Sequence, residues 1–390
     1  AVQRVCSDMH HVGMFVDQEA RAEAERNALE RTVTLRKQLA DLAGDPGFNP
    51  GSTQQLRRLL FNEWGLTPKL DDKIRFTASG DASTSDEVMR SLFTGRMKKH
   101  QRAFVTKLRQ YRKVMKELGT YIVKLRPMSE VVSGVGWDDE ERRLAWEAER
   151  DPELLARMAA ERERRGYEQR GIVWADGRMR PGYNTHVTVS GRLSSSSPIN
   201  AQNFPKHLRK LIVPQPGNVL VGADYDQLEL RIAAARWGLR RYLDAFDAGW
   251  DPHTSVTAYA VFGEDFEKVA GTAFPWMTGT KFEGDANDMR QLAKIIQYAF
   301  QYKASVETGA RIIQSTELTD PDTGDPILPY ARLSVKQVRQ MRQSWLDGIP
   351  QLAQGWDAEI RHYRDYGWVA EPVHGRRRHF LDGENPNEIV

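Results

Sequence analysis

The sequence of 390 residues predicts an α+β protein of two or three subdomains, and three features carry that expectation. Long stretches rich in Ala, Leu, Glu and Arg, such as "DQEARAEAERNALERTVTLRKQLADLAG", read as helix. By contrast, "GIVWADGRMRPGYNTHVTVSGRLSSSSPINAQNFP" breaks into short β-like runs separated by Gly, Pro and Ser, the composition of a loop-rich surface placed by a scaffold. A third stretch, "VLVGADYDQLELRIAA", passes from an apolar strand into a helix.

Composition narrows the chemistry. Lys and Arg total 56 against 53 acidic residues, so the distribution of charge, and not its sum, must identify partners. Cys6 is the single cysteine, which excludes an internal disulfide and a cysteine-rich zinc site and fits a reducing compartment. No apolar run approaches the roughly 20 residues of a membrane span, and "AVQRVCSDMHH" lacks the pattern of a signal peptide. A cytoplasmic protein without membrane contact is expected.

Taken in order, the first long helix should end at Gly44, a good C-cap, and a shorter one should start at Ser52, its N-cap. Residues 96–126 form a basic tract in which Glu117 is the only acid. With so little opposite charge for i,i+4 pairing, a helix there repels itself unless something anionic lies alongside, and a phosphate backbone is the natural candidate. The competing expectation is a solvated helix face. Residues 129–169, dense in charge of both signs, read as an exposed helical excursion. Helix returns after Asp251, and a loop marked by Gly and Pro leads into "NDMRQLAKIIQYAFQYKA".

The strand-to-helix stretch holds unusual charge for its setting. Asp224 ends an apolar run, where a carboxylate is poorly solvated unless a cation or donor meets it. Asp224 or Asp226 can cap the helix that begins near Gln227, but capping accounts for one aspartate and leaves Glu229 and Arg231 unexplained.

"DYDQLELRIAA" closely resembles the DYSQIELR block of family A DNA polymerases, and further blocks occur in the same order. "TVSGRLSSSSPINAQNFP" is similar to the family's T-x-T-G-R-L-S-S-x-x-P-N-L-Q-N-I-P segment, and "MRQLAKIIQYAFQY" to its R-x-x-x-K-x-x-x-F/Y-x-x-x-Y helix. "DPHT" and "GWVAEPVHGRRRHFLD" look like its D-I-H-T and G-Y-V-E-T-x-x-G-R-R-R blocks. The resemblance implies a right-hand architecture of thumb, palm and fingers, with an antiparallel palm sheet. In this chain it implies an N-terminal helical segment over 1–47, a thumb over 48–128, a charged insertion over 129–170, palm over 171–250 and fingers over 251–390.

The resemblance also implies template-directed addition of deoxynucleotides to a primer 3' end through two magnesium ions, with manganese as a substitute. The partners would be primer-template DNA and deoxynucleoside triphosphates. Asp224 and the Tyr225 carbonyl would hold metal, while Asp226 stands where the family usually has Ser. Glu229 would pack under the incoming sugar and exclude a 2'-hydroxyl. Arg290 and Lys294 would hold the triphosphate, with His253 and Gln227 beside them, and Tyr298 and Tyr302 would face the sugar and the nascent base pair. These four helix positions recur every four residues, so they share one broad stripe; an amphipathic helix with snorkelling cations has the same pattern. On the DNA side the implied contacts are Lys116, Thr120, Tyr121, Arg192, Asn200, Gln202, Asn203, Arg231, Arg376 and Arg377.

Three departures from the family pattern stand out. Lys303 occupies the place of a Gly, residues 129–169 and 267–282 look inserted, and no V-H-D-E block with a second aspartate precedes Val390. The sequence therefore also admits a split-polymerase or DNA-binding subunit that needs a C-terminal polymerase segment as partner. Single-subunit RNA polymerases have a related palm, but Glu229 and "GRLSS" argue against RNA synthesis.

Overall fold

The computed structural model describes residues 2–68, 75–93, 97–130, 170–185, 187–188, 192–263, 285–319, 326–327, 330, 333–370 and 377–379. Both regions expected as insertions fall largely outside them, as does Arg376. The chain divides into two compact units: residues 1–89 with 97–222, and residues 90–96 with 223–390. The division at 222/223 falls inside the segment expected as palm.

In the first unit, α1 (Val2–Val12) and β1 (Met14–Phe15) lead to α2 (Gln18–Ala43). Asp17 caps α2 by accepting from the Glu19 and Ala20 amides, and Gly44 closes it at φ +70°, a left-handed conformation that suits glycine. Ser52 caps α3 (Thr53–Arg57) as the sequence predicts. After α4 (Asp86–Leu92), within which this part of the unit ends at Met89, the basic tract forms α5 (Lys99–Glu117), continued by a wider turn over Leu118–Ile122. Helix α5 packs along α2, and its apolar positions Phe104, Val105 and Leu108 are fully buried. A second apolar cluster gathers Val16, Ile122, Leu125, Val173, Met179, Ile199, Phe204 and Leu211. The antiparallel pairs β1 with β2 (Arg178–Met179), and β3 (Tyr183–Asn184) with β4 (Ser194–Ser195), complete the unit.

The second unit is helical around one core. It contains α6 (Leu228–Trp237), α7 (Arg240–Asp247), a wide turn over His253–Ala258 running into α8 (Tyr259–Phe262), α9 (Asp285–Phe300), α10 (Val306–Gln314), α11 (Val335–Gly348) and α12 (Pro350–Tyr366). Trp345, Trp356, Tyr242 and Phe300 are its largest fully buried side chains. Gly309 on α10 lets that helix approach α9: a Cβ there would lie 2.1 Å from two ring atoms of Phe300. Two further pairs are β5 (Leu318–Thr319) with β6 (Pro326–Ile327), and β7 (Trp368–Ala370) with β8 (Arg377–His379).

The α+β class therefore holds, but the strand expected at 219–221 does not form. Val219 and Val221 are 81% and 89% exposed, and residues 219–225 are irregular. A strand needs a neighbour to satisfy its backbone; among the described residues none pairs with this segment, and every sheet has two strands.

Candidate nucleotide and nucleic-acid sites

Asp224, Tyr225 and Asp226 are exposed, which corrects the expectation of a poorly solvated carboxylate at a strand end. Neither aspartate caps α6. The cap position is Gln227, at φ +52° and without a side-chain cap bond. Arg231 turns back, its Nε donating to the Asp226 carbonyl at 2.9 Å, and its guanidinium lies 4.1 Å from the ring centroid of Phe246.

Glu229, on the first turn of α6, accepts a hydrogen bond of 2.7 Å from the Tyr302 hydroxyl. The two residues stand 73 positions apart, so this bond joins the "DYDQLELR" stretch to the end of α9. Lys303 follows in a left-handed conformation, φ +58°, with Nζ 3.2 Å from Asp357. That backbone explains why a glycine is the natural occupant of the position.

Of the four expected positions, Arg290, Lys294 and Tyr298 lie on α9 and Tyr302 just past its end. Arg290 donates from Nε and Nη2 to Asp251 at 2.8 and 2.9 Å, a two-pronged pair that sequence reasoning did not identify. Asp251 also accepts from the Thr254 amide and hydroxyl. Burial by itself raises the Asp251 pKa; the hydrogen bonds from Arg290 and Thr254, with nearby positive charge, outweigh it and hold the carboxyl below its ordinary value. The signal in the sequence was "DPHT", an Asp three residues before a Thr, the pattern of a capping turn. Lys294 lies 5.9 Å from the centroid of the half-exposed Tyr298 ring.

His253 is buried, with Nδ1 2.9 Å from Gln297 Oε1 and its ring 5.9 Å from that of Tyr298. Burial, partly offset by Asp251 and the Gln297 bond, lowers its pKa to about 4. The imidazole is therefore neutral near pH 7. In the same unit Arg377 covers the Trp368 ring at 4.3 Å.

Residues of the first unit expected to meet DNA divide into two groups. Lys116, Arg192, Gln202 and Asn203 are exposed, and Thr120 is half-buried. Tyr121 turns inward instead: its hydroxyl donates to the Asn203 carbonyl at 2.9 Å and its ring meets Phe204 edge-on. The Asn200 side chain is held within its own turn by the Ser195 hydroxyl and the Asn203 amide. Gln202 donates to the Leu193 carbonyl at 3.0 Å.

The basic tract is less short of counter-charge than its own residues imply. Arg109 pairs with Asp86, Arg126 pairs with Glu25, and Arg112 donates to the Thr84 carbonyl. Lys98, Lys99, Lys113 and Lys116 remain exposed, with no ion pair to any of them among the described residues.

Comparison with known proteins meets the same blocks. The DNA polymerase family A model matches residues 18–135 and 168–388. The thermostable DNA polymerase I of Thermus aquaticus is 26% identical over 386 residues, which are 97% of this chain and 36% of that protein. DNA polymerase I of Pseudomonas aeruginosa is 30% identical over 299 residues, 75% of this chain and 25% of that one. Among solved structures, the POL domain of Pol1 from M. smegmatis, in complex with DNA primer-template and dNTP, superposes with a TM-score of 0.64 at 20% identity, covering 100% of this chain and 54% of that chain. This likeness shows the fold. The chain spans about a third of the length of curated relatives such as the Thermus aquaticus enzyme. On the family match over most of its length, the chain belongs to DNA polymerase family A.

Proposed function

We propose that the second unit binds a deoxynucleoside triphosphate for addition to a primer 3' end, and that the first unit grips the primer-template. The observation that carries this reading is the hydrogen bond between Tyr302 and Glu229, which puts the "DYDQLELR" carboxylate at the end of the helix bearing Arg290, Lys294 and Tyr298. Arg290 and Lys294 supply positive charge for a triphosphate, and the pairing of Arg290 with Asp251 fixes its guanidinium and leaves Nη1 for a further acceptor. Glu229, held by Tyr302, stands under the sugar and disfavours a 2'-hydroxyl. Lys116, Arg192, Gln202 and Asn203 serve the duplex, together with the exposed lysines of α5. In this reading the thumb and the first part of the palm lie in the first unit, and the rest of the palm, 223–250, with the fingers in the second, in a cytoplasmic, nucleoid-associated protein.

Magnesium takes hard oxygen donors, and Asp224 with the Tyr225 carbonyl offers that chemistry, to be completed by phosphates and water. A bound ion would neutralise the charge that develops on the transferring phosphoryl group. Among the described residues no three His, Cys, Asp or Glu side chains gather around a metal position, so these residues supply part of a two-ion centre. In this reading a segment bearing the family's V-H-D-E block supplies a further carboxylate to that centre.

Primer extension with magnesium and deoxynucleotides, in the presence of that segment, is the test. Asp224→Asn should abolish extension and leave duplex binding near the parent level. Glu229→Ala should raise the use of ribonucleotides relative to deoxynucleotides. Unchanged extension by the Asn variant, or unchanged sugar choice by the Ala variant, would refute the assignment.

A further inference from the structure

Four buried hydrogen bonds run in line from the core of the second unit to His253. Trp345 Nε1 donates to Tyr242 Oη at 3.0 Å; Tyr242 Oη and Thr257 Oγ1 are 2.7 Å apart; Thr257 Oγ1 lies 3.1 Å from Gln297 Oε1; and Gln297 Oε1 lies 2.9 Å from His253 Nδ1. All five side chains are buried.

The direction of this line is fixed at its inner end. An indole N–H can only donate, so the Tyr242 oxygen accepts from Trp345, and Thr257 is the neighbour in the line that can take the buried Tyr242 proton. Burial raises the Tyr242 pKa, which keeps that proton in place. The Thr257 proton then goes to Gln297 Oε1. A carbonyl oxygen can only accept, so the remaining bond requires a proton on His253 Nδ1. This arrangement leaves one group of the line, Gln297 Nε2, without a partner. The reversed amide would strand the Gln297 oxygen and one of the two hydroxyl protons of Tyr242 and Thr257 in the core.

A neutral imidazole protonated on Nδ1 carries a lone pair on Nε2. That atom accepts hydrogen bonds and repels a phosphate oxygen. Asp251 favours protonation of the ring, whereas Arg290 and Lys294 oppose it, and the Tyr298 ring lies alongside. A triphosphate neutralising Arg290 and Lys294 would reverse that balance.

We propose that Trp345 is a positioning residue for nucleotide binding: through Tyr242, Thr257 and Gln297 it fixes His253 as the Nδ1–H tautomer, so that a triphosphate is gripped there with uptake of one proton. The proposal rests on the nucleotide reading above and specifies how that site responds to pH.

Nitrogen NMR of the full chain labelled at histidine reads the tautomer directly and requires no ligand. The free protein should show His253 neutral and protonated on Nδ1; a neutral ring protonated on Nε2 would overturn the proposal. Trp345→Phe, which removes the N–H together with part of the ring system in the core, should release the direction and yield signal from the other tautomer. Tyr242→Phe interrupts the same line without altering Trp345 and should do likewise if the tryptophan variant does not fold. Titration with dCTP from pH 5 to pH 6.5 supplies the second readout. Relative to His253→Gln, whose side chain does not titrate, the parent affinity should fall by a further factor of ten per pH unit, and the excess slope should shrink in either relay variant. Binding with equal slopes in parent and His253→Gln would overturn proton uptake alone. Absence of dCTP binding would overturn the nucleotide reading and proton uptake with it, while the NMR result would still decide the tautomer.

Discussion

Asp251→Ala should destabilise the second unit by about 3–4 kcal/mol, because it strands a guanidinium that the fold has partly withdrawn from water. The Asp251 side chain is 3% exposed and that of Arg290 19% exposed, and the carboxylate accepts two bonds from Arg290 and two from Thr254. Breaking a buried pair on one side costs roughly 3–5 kcal/mol, and the partial exposure of Arg290 favours the lower end through rehydration. The assay is urea denaturation followed by hydrogen exchange in peptides from 290–302, since a chain of two units need not unfold in one step. Arg290→Leu added to Asp251→Ala should recover at least half of the loss, because the stranded charge has gone. A loss below about 1 kcal/mol, or no recovery in the double variant, would refute the reasoning. The pH dependence has a definite sign: with its folded pKa depressed, Asp251 contributes stability that is present above the ordinary carboxylate pKa of about 4 and is lost as pH falls through the lower folded value.

Three further outcomes follow from individual contacts. His253 titrates near 6.5 when unfolded and at about 4 when folded, so parent stability should fall by about 3 kcal/mol between those values, at roughly 1.4 kcal/mol per pH unit, and His253→Gln should flatten that fall in acid denaturation. Gly309→Ala should cost about 1–3 kcal/mol in the urea midpoint, because the added methyl meets the Phe300 ring. Lys303→Gly should raise the thermal midpoint: relief of the left-handed backbone is worth about 1 kcal/mol and exceeds the loss of a partly exposed ion pair with Asp357.

Local chemistry made parts of this molecule legible in the sequence. The helix at Gln18–Ala43 lies between an aspartate that caps its start and a glycine that closes its end, and both signals act within one turn. The four-residue spacing of Arg290, Lys294, Tyr298 and Tyr302 likewise put them on one stripe, although Tyr302 falls just past the helix end. What escaped the sequence depends on distant partners. Asp86 and Glu25 meet arginines of the basic tract from 23 and 101 positions away, so the tract read alone exaggerates its need for an external anion. The run at 219–221 has strand-forming residues, but a ladder is a property of two segments. Tyr121 has the composition of a helix-tip contact, and only the position of Phe204 and the Asn203 carbonyl shows that it points into the core.

Location of the bound nucleotide tests the central claim most directly. Photolabelling of the chain with 8-azido-dATP in the presence of primer-template, followed by peptide mapping, should place the adduct within 290–302, with Lys294→Ala reducing labelling at least tenfold. An adduct confined to the first unit, or labelling indifferent to Lys294, would contradict the account.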